Sequence, residues 1–280
     1  MKNIITLFSI VLICSFYSCT TNRYIYTASP PNDPYFTKKG ESKVAGYYSS
    51  SGDGVHPTVK SDGMDIQTAY SLTDHWAITA SYFYRRENDV YNYNSYSQPF
   101  DSSFVKYKRN LFEAGGGYFV PLNTKKSITA NLYVGIAAGK FTFNDVGIDG
   151  NGLSYTRFHN SNIRKLFFQP AINFSPGKYI RFSFILKSSY VRYNNVRTSY
   201  TQEEQEYFSI NNIDKKTFNF IEPAWSFQFG LPKYSWVKLD LIVSGVYTSP
   251  LHQPNIRTNN SSVGLSFDLS KHMENKTSLN

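Results

Sequence analysis

A chain of 280 residues with only two cysteines, Cys14 and Cys19, has no means of building a disulfide framework or a thiolate metal site beyond its first 19 positions. Its formal charge of +9 is scattered through strand-like segments and turns, without the basic stripe that nucleic-acid binding requires. It carries 23 tyrosines and 22 phenylalanines at a mean hydropathy of only −0.39, the balance of a barrel that is apolar outside and wet inside.

Met1-Lys2-Asn3 is a short basic start, and Ile4 to Ile13 is an apolar run of the length found in exported precursors. A transmembrane helix needs roughly 20 apolar residues, so this run is read as a signal peptide over 1–18. The following "FYSC" resembles a bacterial lipobox, with Ser18 before the cut and Phe16 where leucine is commoner. That resemblance implies that Cys19 receives an acyl (palmitate) anchor and is no longer a thiol available for chemistry. Residues 19–40 contain Pro30, Pro31 and Pro34, which oppose regular pairing, and so predict an extended, lipidated periplasmic tether.

From residue 41 the dominant period is two. "HWAITASYFYRR" sets Trp76, Ile78, Ala80, Tyr82 and Tyr84 against Ala77, Thr79, Ser81, Phe83 and Arg85, and the pattern recurs at 127–144, 178–195 and 260–270. Ten strands are predicted: 41–51, 64–73, 75–88, 105–120, 127–144, 159–175, 178–195, 215–230, 234–249 and 260–270. Soluble strands average about 5–6 residues, whereas a tilted membrane-spanning strand needs roughly 9–11. Short connections such as "SPGKY" alternate with longer polar ones at 52–63, 89–104, 145–158, 196–214 and 250–259. The expectation is an all-β fold: a closed antiparallel transmembrane barrel over 41–270, with short periplasmic turns, long extracellular loops and a periplasmic tail over 271–280.

The phase of the alternation puts Arg85, Arg109, Glu113, Lys165, Gln169, Arg181, Lys187, Glu222, Lys238, Asp240 and Asp268 inside, as a polar network that narrows or plugs the lumen. Lysine or arginine on the lipid face would cost about 2–4 kcal/mol near the midplane, which supports this phase. Trp76, Tyr118, Tyr179, Trp225, Tyr234 and Trp236 predict an aromatic girdle near the short turns, and Tyr84, Tyr107, Tyr190 and Tyr247 one toward the long loops. Pro170 and Pro223 each remove a ladder donor and predict a bulge or gap. The glycine run Gly115 to Gly117 predicts close approach of an interior side chain or sharp coiling.

No catalytic, metal or cofactor motif is present, and no cofactor is expected. An outer-membrane lipid-modifying enzyme would need His56, His159 or His252 to meet both an acid and a hydroxyl at the rim. Two loops rich in Tyr, Asn and Ser offer Tyr91, Tyr93, Tyr96, Phe100, Tyr200, Tyr207 and Phe208 as candidate partner contacts, or as parts of a lid that packs on itself. The "YSC" signal end, the Pro-rich tether, "KKGE" before the first strand, "AYSLTDHWAI", and aromatic strands running to residue 270 together resemble the small lipidated outer-membrane β-barrel proteins of Bacteroidetes-type bacteria. The resemblance spans nearly the whole mature chain, although "HMENKTSLN" departs from an aromatic carboxyl terminus. It implies a barrel in the outer membrane, lipid-anchored at its amino terminus. The expected role is a non-enzymatic accessory or structural subunit of an outer-membrane complex; the alternatives are the lipid-modifying enzyme and a narrow pore. Outer-membrane lipid and other outer-membrane proteins are the expected partners; nucleic acid is not.

Overall fold

The computed structural model describes residues 23–52, 60–92, 100–149, 152–177, 179–230, 234, 236–248 and 254–270, with the side chains of 91, 92 and 100–102 excepted. Ten strands form the wall: β1 (Ser42–Gly52), β2 (Lys60–Ser71), β3 (Trp76–Asn92), β4 (Phe100–Pro121), β5 (Ile128–Asp149), β6 (Ser154–Phe174), β7 (Ile180–Thr198), β8 (Thr217–Gly230), β9 (Val237–Gly245) and β10 (Asn259–Asp268). Each pairs antiparallel with its sequence neighbour, and β10 pairs back onto β1 between Lys43–Gly52 and Asn259–Asp268, so the sheet closes. Closure is what hydrocarbon demands, because each unpaired backbone group there costs several kcal/mol.

The outward positions form an apolar belt: Val44, Ile66, Ile78, Leu132, Ile136, Leu166, Phe168, Ile180, Leu241 and Leu265 are all exposed. Trp76, Tyr118, Tyr179 and Tyr234 are exposed toward the short turns. Toward the loops Tyr190 and Tyr247 face outward, but Tyr107 does not: it is buried in the lumen, 4.1 Å ring to ring from Tyr24.

All ten predicted strands are present, and the largest differences lie at the loop end. β3 to β7 run for 17, 22, 22, 21 and 19 residues, against 9 to 14 for the other five. The segment 145–158, expected as a long loop, continues as strand and leaves only residues 150–153 between β5 and β6. Outward polar residues such as Lys106, Asn144 and Asn160 disguise this upper wall, whose backbone is satisfied by pairing on both sides. Within 196–214 a single-turn helix, α1 (Gln202–Tyr207), is started by a capping box between Thr201 and Glu204.

Pro170 produces a gap without a bulge: β6 and β7 pair at Phe168↔Ser188 and again at Ala171↔Ile185 in unchanged register, with nothing between. Pro223 stays paired to Leu186, and the ladder on its other side is interrupted where the strand breaks at Val246, between Gly245 and Tyr247–Thr248.

The glycine run is a site of close approach. A Cβ on Gly117 would fall 2.2 Å from the Leu132 carbonyl oxygen, while one on outward-facing Gly116 would meet nothing nearer than 3.8 Å. Opposite Gly115 lies Gly135, where a Cβ would stand 2.3 Å from the Ala114 carbonyl and 2.4 Å from the Phe167 ring, which covers the glycine pair from inside. Gly135→Ala should therefore cost about 1–3 kcal/mol of unfolding free energy through overpacking, and Gly116→Ala close to nothing. Denaturant unfolding of the refolded barrels checks this pair; equal effects would remove the argument.

Candidate functional site: a lumen closed by its own chain

Residues 23–36, expected as part of a tether outside the barrel, run through its lumen. Arg23 to Pro34 and Phe36 are buried. The segment is extended, as its prolines require, and from Ala28 to Asp33 it is held by side chains of the wall in place of a ladder. Asn32 Nδ2 donates to the carbonyls of Thr68 and Ala80 at 2.9 and 3.1 Å; Gln67 and Gln169 donate to the carbonyls of Pro30 and Asn32, each at 3.0 Å. Asn131 donates to Asp33 at 2.7 Å. A carbonyl needs only one donor from a long wall side chain, so a segment without its own strand partners can still be satisfied.

The direction of travel is definite. Arg23 lies near the loop end, where its guanidinium meets Asp145 at 2.6 Å and Ser103 at 3.0 Å. At the turn end the backbone amides of Thr37 and Lys38 donate to Glu41, and Gly40, with φ of 81°, turns the chain into β1. Near the top, Tyr26–Thr27 pairs in parallel with Ile256–Arg257 from the last loop, and the Ile25 amide donates to the Asn255 carbonyl at 2.9 Å.

The loop half of the lumen is a hydrophobic core of the kind found in soluble domains. Tyr24 packs on Tyr107, Tyr26 stacks flat on Phe220 at 4.0 Å, and Phe83, Phe141, Phe143, Tyr193 and Phe218 complete it. These aromatics fill the interior, so the aromatic excess serves two purposes and not membrane anchoring alone. Burying Phe, Tyr or Trp contributes about 1.5–3 kcal/mol each.

The ten charged residues expected inside all face the lumen, divided into separate groups. In the middle, Glu113 bridges Lys165 at 3.1 Å and Lys187 at 2.6 Å, while Glu222 takes Lys165 at 3.3 Å and the Tyr26 hydroxyl at 2.9 Å. These pairs reach past neighbouring strands, since Glu113 is on β4 and its lysines are on β6 and β7. Ser29 of the threaded segment also donates to Glu113 at 3.0 Å. Near the turns Asp268 holds Lys238, and Arg181 at 3.5 Å. Asp240 accepts from Tyr47, Gln228 and Ser266, each at 2.9 Å. Higher up, Arg85 meets Asp65 at 4.0 Å and donates to Asn260, and Arg109 donates to the Thr27 carbonyl. Sequence reasoning missed Arg23–Asp145 and Arg257 with Glu87 and Asp89, because their partners are 122 and about 170 residues apart.

Of the candidate partner contacts, Tyr200 and Phe208 face inward. Tyr200 donates to Asp145 at 2.7 Å and Phe208 lies under the Arg23 guanidinium at 4.5 Å, so this loop is a lid over the threaded segment. Tyr207 is exposed. The backbones of Tyr91 and Phe100 are in strands, their side chains lie outside the described set, and Cys19, Tyr93 and Tyr96 lie outside the described residues.

The lid is pinned to the wall by Arg157, which grips Glu204 at 3.0–3.1 Å. Burial pushes the Glu204 carboxyl up, but the Arg157 hydrogen bonds and the Thr201 amide outweigh it and hold the group below the ordinary range. The lid should therefore be fully pinned above about pH 4.3, the unfolded value, and loosen as pH falls through the lower folded value. Amide exchange across 200–213 at descending pH reads this; no acid loosening relative to Glu204→Gln would contradict it.

His159 is buried among Phe141 and Phe143, and neither ring nitrogen has a hydrogen-bond partner among the described residues. It meets neither the acid nor the hydroxyl that catalysis would need. His75 sits in a short turn against Tyr118, and His56 and His252 lie outside the described residues.

Apolar belt, charged interior and closed ladder define an integral membrane β-barrel with an internal plug. No family model and no curated protein matches the chain. Among solved structures it is similar to outer-membrane barrel proteins, including the following three. The translocator domain of the autotransporter NalP from Neisseria meningitidis is 11% identical, with 81% of this chain and 86% of that one covered at a TM-score of 0.45. The outer membrane protease OmpT from Escherichia coli is 9% identical, covering 81% and 93% at 0.41. Ail, the attachment invasion locus protein of Yersinia pestis, is 13% identical, covering 82% and 98% at 0.32. At these values the likeness does not extend to activity.

Proposed function

We propose that the chain is an outer-membrane barrel lipoprotein that works as a structural or accessory subunit of a larger outer-membrane assembly, and neither conducts solutes nor performs catalysis. The observation that carries this reading is the threaded segment: the lumen is filled from loop end to turn end by the chain itself, with charge pairs and a hydrophobic core fastening it. A pore needs a continuous aqueous path, which the fastened segment opposes. A barrel without a path through its wall has its loops, rims and lipid face with which to act on its surroundings.

The threaded direction also bears on the anchor. Cys19 is four residues before Arg23, and four residues span at most about 14 Å. An acyl chain on Cys19 therefore belongs to the leaflet at the loop end, not to the periplasmic leaflet that a tether to β1 would imply. With the loops facing outward, the anchor is displayed on the cell surface. Mild-detergent extraction of a tagged copy, followed by identification of stoichiometric companions, tests the assembly role. A clean monomer that hydrolyses or transfers acyl groups would replace that role with the enzyme reading. Loss of palmitate labelling in Cys19→Ala, together with surface accessibility of an epitope placed just after residue 19, tests the anchor and its side.

A further inference from the structure

Above the apolar belt the outward wall of β3 to β7 is basic. Arg86, Lys106, Lys108, Lys140, Arg164 and Arg192 all point outward and are exposed. Their registers make the concentration of charge explicit. Arg86 stands directly across from Lys108, and Arg164 directly across from Arg192. Directly opposed side chains in antiparallel strands have Cβ atoms about 4.5–5.5 Å apart, and like charges there repel. Between these pairs Lys140 is flanked by Asn110 and Asn162. Among the described residues, no outward position of β3 to β7 carries a carboxylate, and none of the six cations forms an ion pair. The outward wall of β8, β9, β10 and β1 lacks charge altogether among described positions of those strands.

Three observations say what fits this surface. The first is position: on one outward face Arg164 precedes Leu166 by two residues, Arg192 follows Tyr190, and Lys140 follows Ala138, so the cations begin one row above the belt. That is the level of lipid headgroups around a barrel whose belt occupies hydrocarbon. The second is charge: repelling pairs without internal counter-ions are neutralised by an external anion that spans rows, and phosphate has several acceptor oxygens to do so. The third is shape. β6 and β7 slip register between Asn160 and Asn162, Asn195 adopts φ of 52°, and the irregularity opens an outward hollow of about 580 Å³ lined by Lys140, Thr142, Asn160, Asn162 and Arg197. Two cations and a set of amide and hydroxyl groups converge there, a lining suited to a phosphorylated headgroup.

We propose that this face is a binding site for the phosphate groups of membrane lipids in the leaflet around the loop end. The site rests on the reading that the belt stands in a membrane. It orients the barrel rotationally, since one side of the wall draws anionic lipid and the other does not. If a complex forms, the uncharged side remains the side open to a neighbouring protein.

The test uses full-length protein in nanodiscs of zwitterionic phosphatidylcholine, with and without an anionic phospholipid, and two variants: Arg86→Gln/Lys108→Gln/Lys140→Gln and Arg164→Gln/Arg192→Gln. All the altered side chains face outward, and heat-modified gel mobility verifies that each variant folds. The wild type is expected to retain phosphate-bearing anionic lipid after detergent exchange at about tenfold the level of either variant, with retention falling as salt rises. Equal retention by wild type and variants overturns the site. So does wild type that retains no lipid but captures an acidic protein, since the occupant is then a protein. Failure of the wild type to enter nanodiscs at all overturns the membrane reading itself, a separate outcome from loss of lipid selectivity.

Discussion

Glu113→Gln should be the most damaging single substitution in the lumen, lowering the unfolding free energy by about 3–5 kcal/mol. Glu113 is 5% exposed and is the carboxylate that reaches both Lys165 and Lys187. Lys165 retains Glu222, but Lys187 has no other ion-pair partner among the described residues and would stand as a charged, buried ammonium against the Phe167 ring. The penalty comes from stranding that charge and not from the net worth of the pair, so Glu113→Gln/Lys187→Met should recover much of the loss. Urea unfolding of the three proteins in lipid vesicles decides it. A double variant as unstable as the single one would place the damage in packing.

The second large effect concerns conduction. Wild-type protein in a planar bilayer should be electrically silent, and removal of residues 23–33 should produce discrete conductance steps. The deletion takes away Arg23, Tyr24 and Tyr26, leaving Asp145 and Glu222 facing water in an opened lumen with Arg109 and Lys165 beside it. A milder companion, Tyr24→Ala/Tyr26→Ala, removes two aromatic anchors, each worth about 3–5 kcal/mol when truncated in a packed core, and should give flickering openings from a plug that is still attached. A conducting wild type would mean that the threaded segment leaves the lumen, and the pore reading would then replace the structural one.

The sequence also carries a local signal for the lid. Thr201-x-x-Glu204 ahead of Gln205 is a capping box, legible without coordinates, and it marks α1 inside a segment otherwise described by composition alone. Inward-phase aromatics were legible too: Tyr107, Phe141 and Phe143 alternate with outward Lys108, Lys140 and Thr142. Over these rows the apolar side of the strand has changed face, because the wall there stands above hydrocarbon and around a core.

The sequence by itself determined the number of strands, the inward face of the ten charges read from its phase, and the sorting of short and long connections apart from 145–158. All three follow from a period of two and from hydrocarbon's rejection of unpaired backbone, which are properties of each strand and its immediate neighbours. Tertiary structure alone decided where residues 23–36 go. An extended proline-rich segment is locally the same object inside or outside a barrel, and its place is set by partners such as Asp145, Asn131 and Gln169, about 100 or more residues away. It also decided that Glu113 meets Lys165 and Lys187 and that Tyr200 and Phe208 close over Arg23. Inward direction is a local consequence of pleat; the identity of the partner across the lumen depends on the closure of the whole ring.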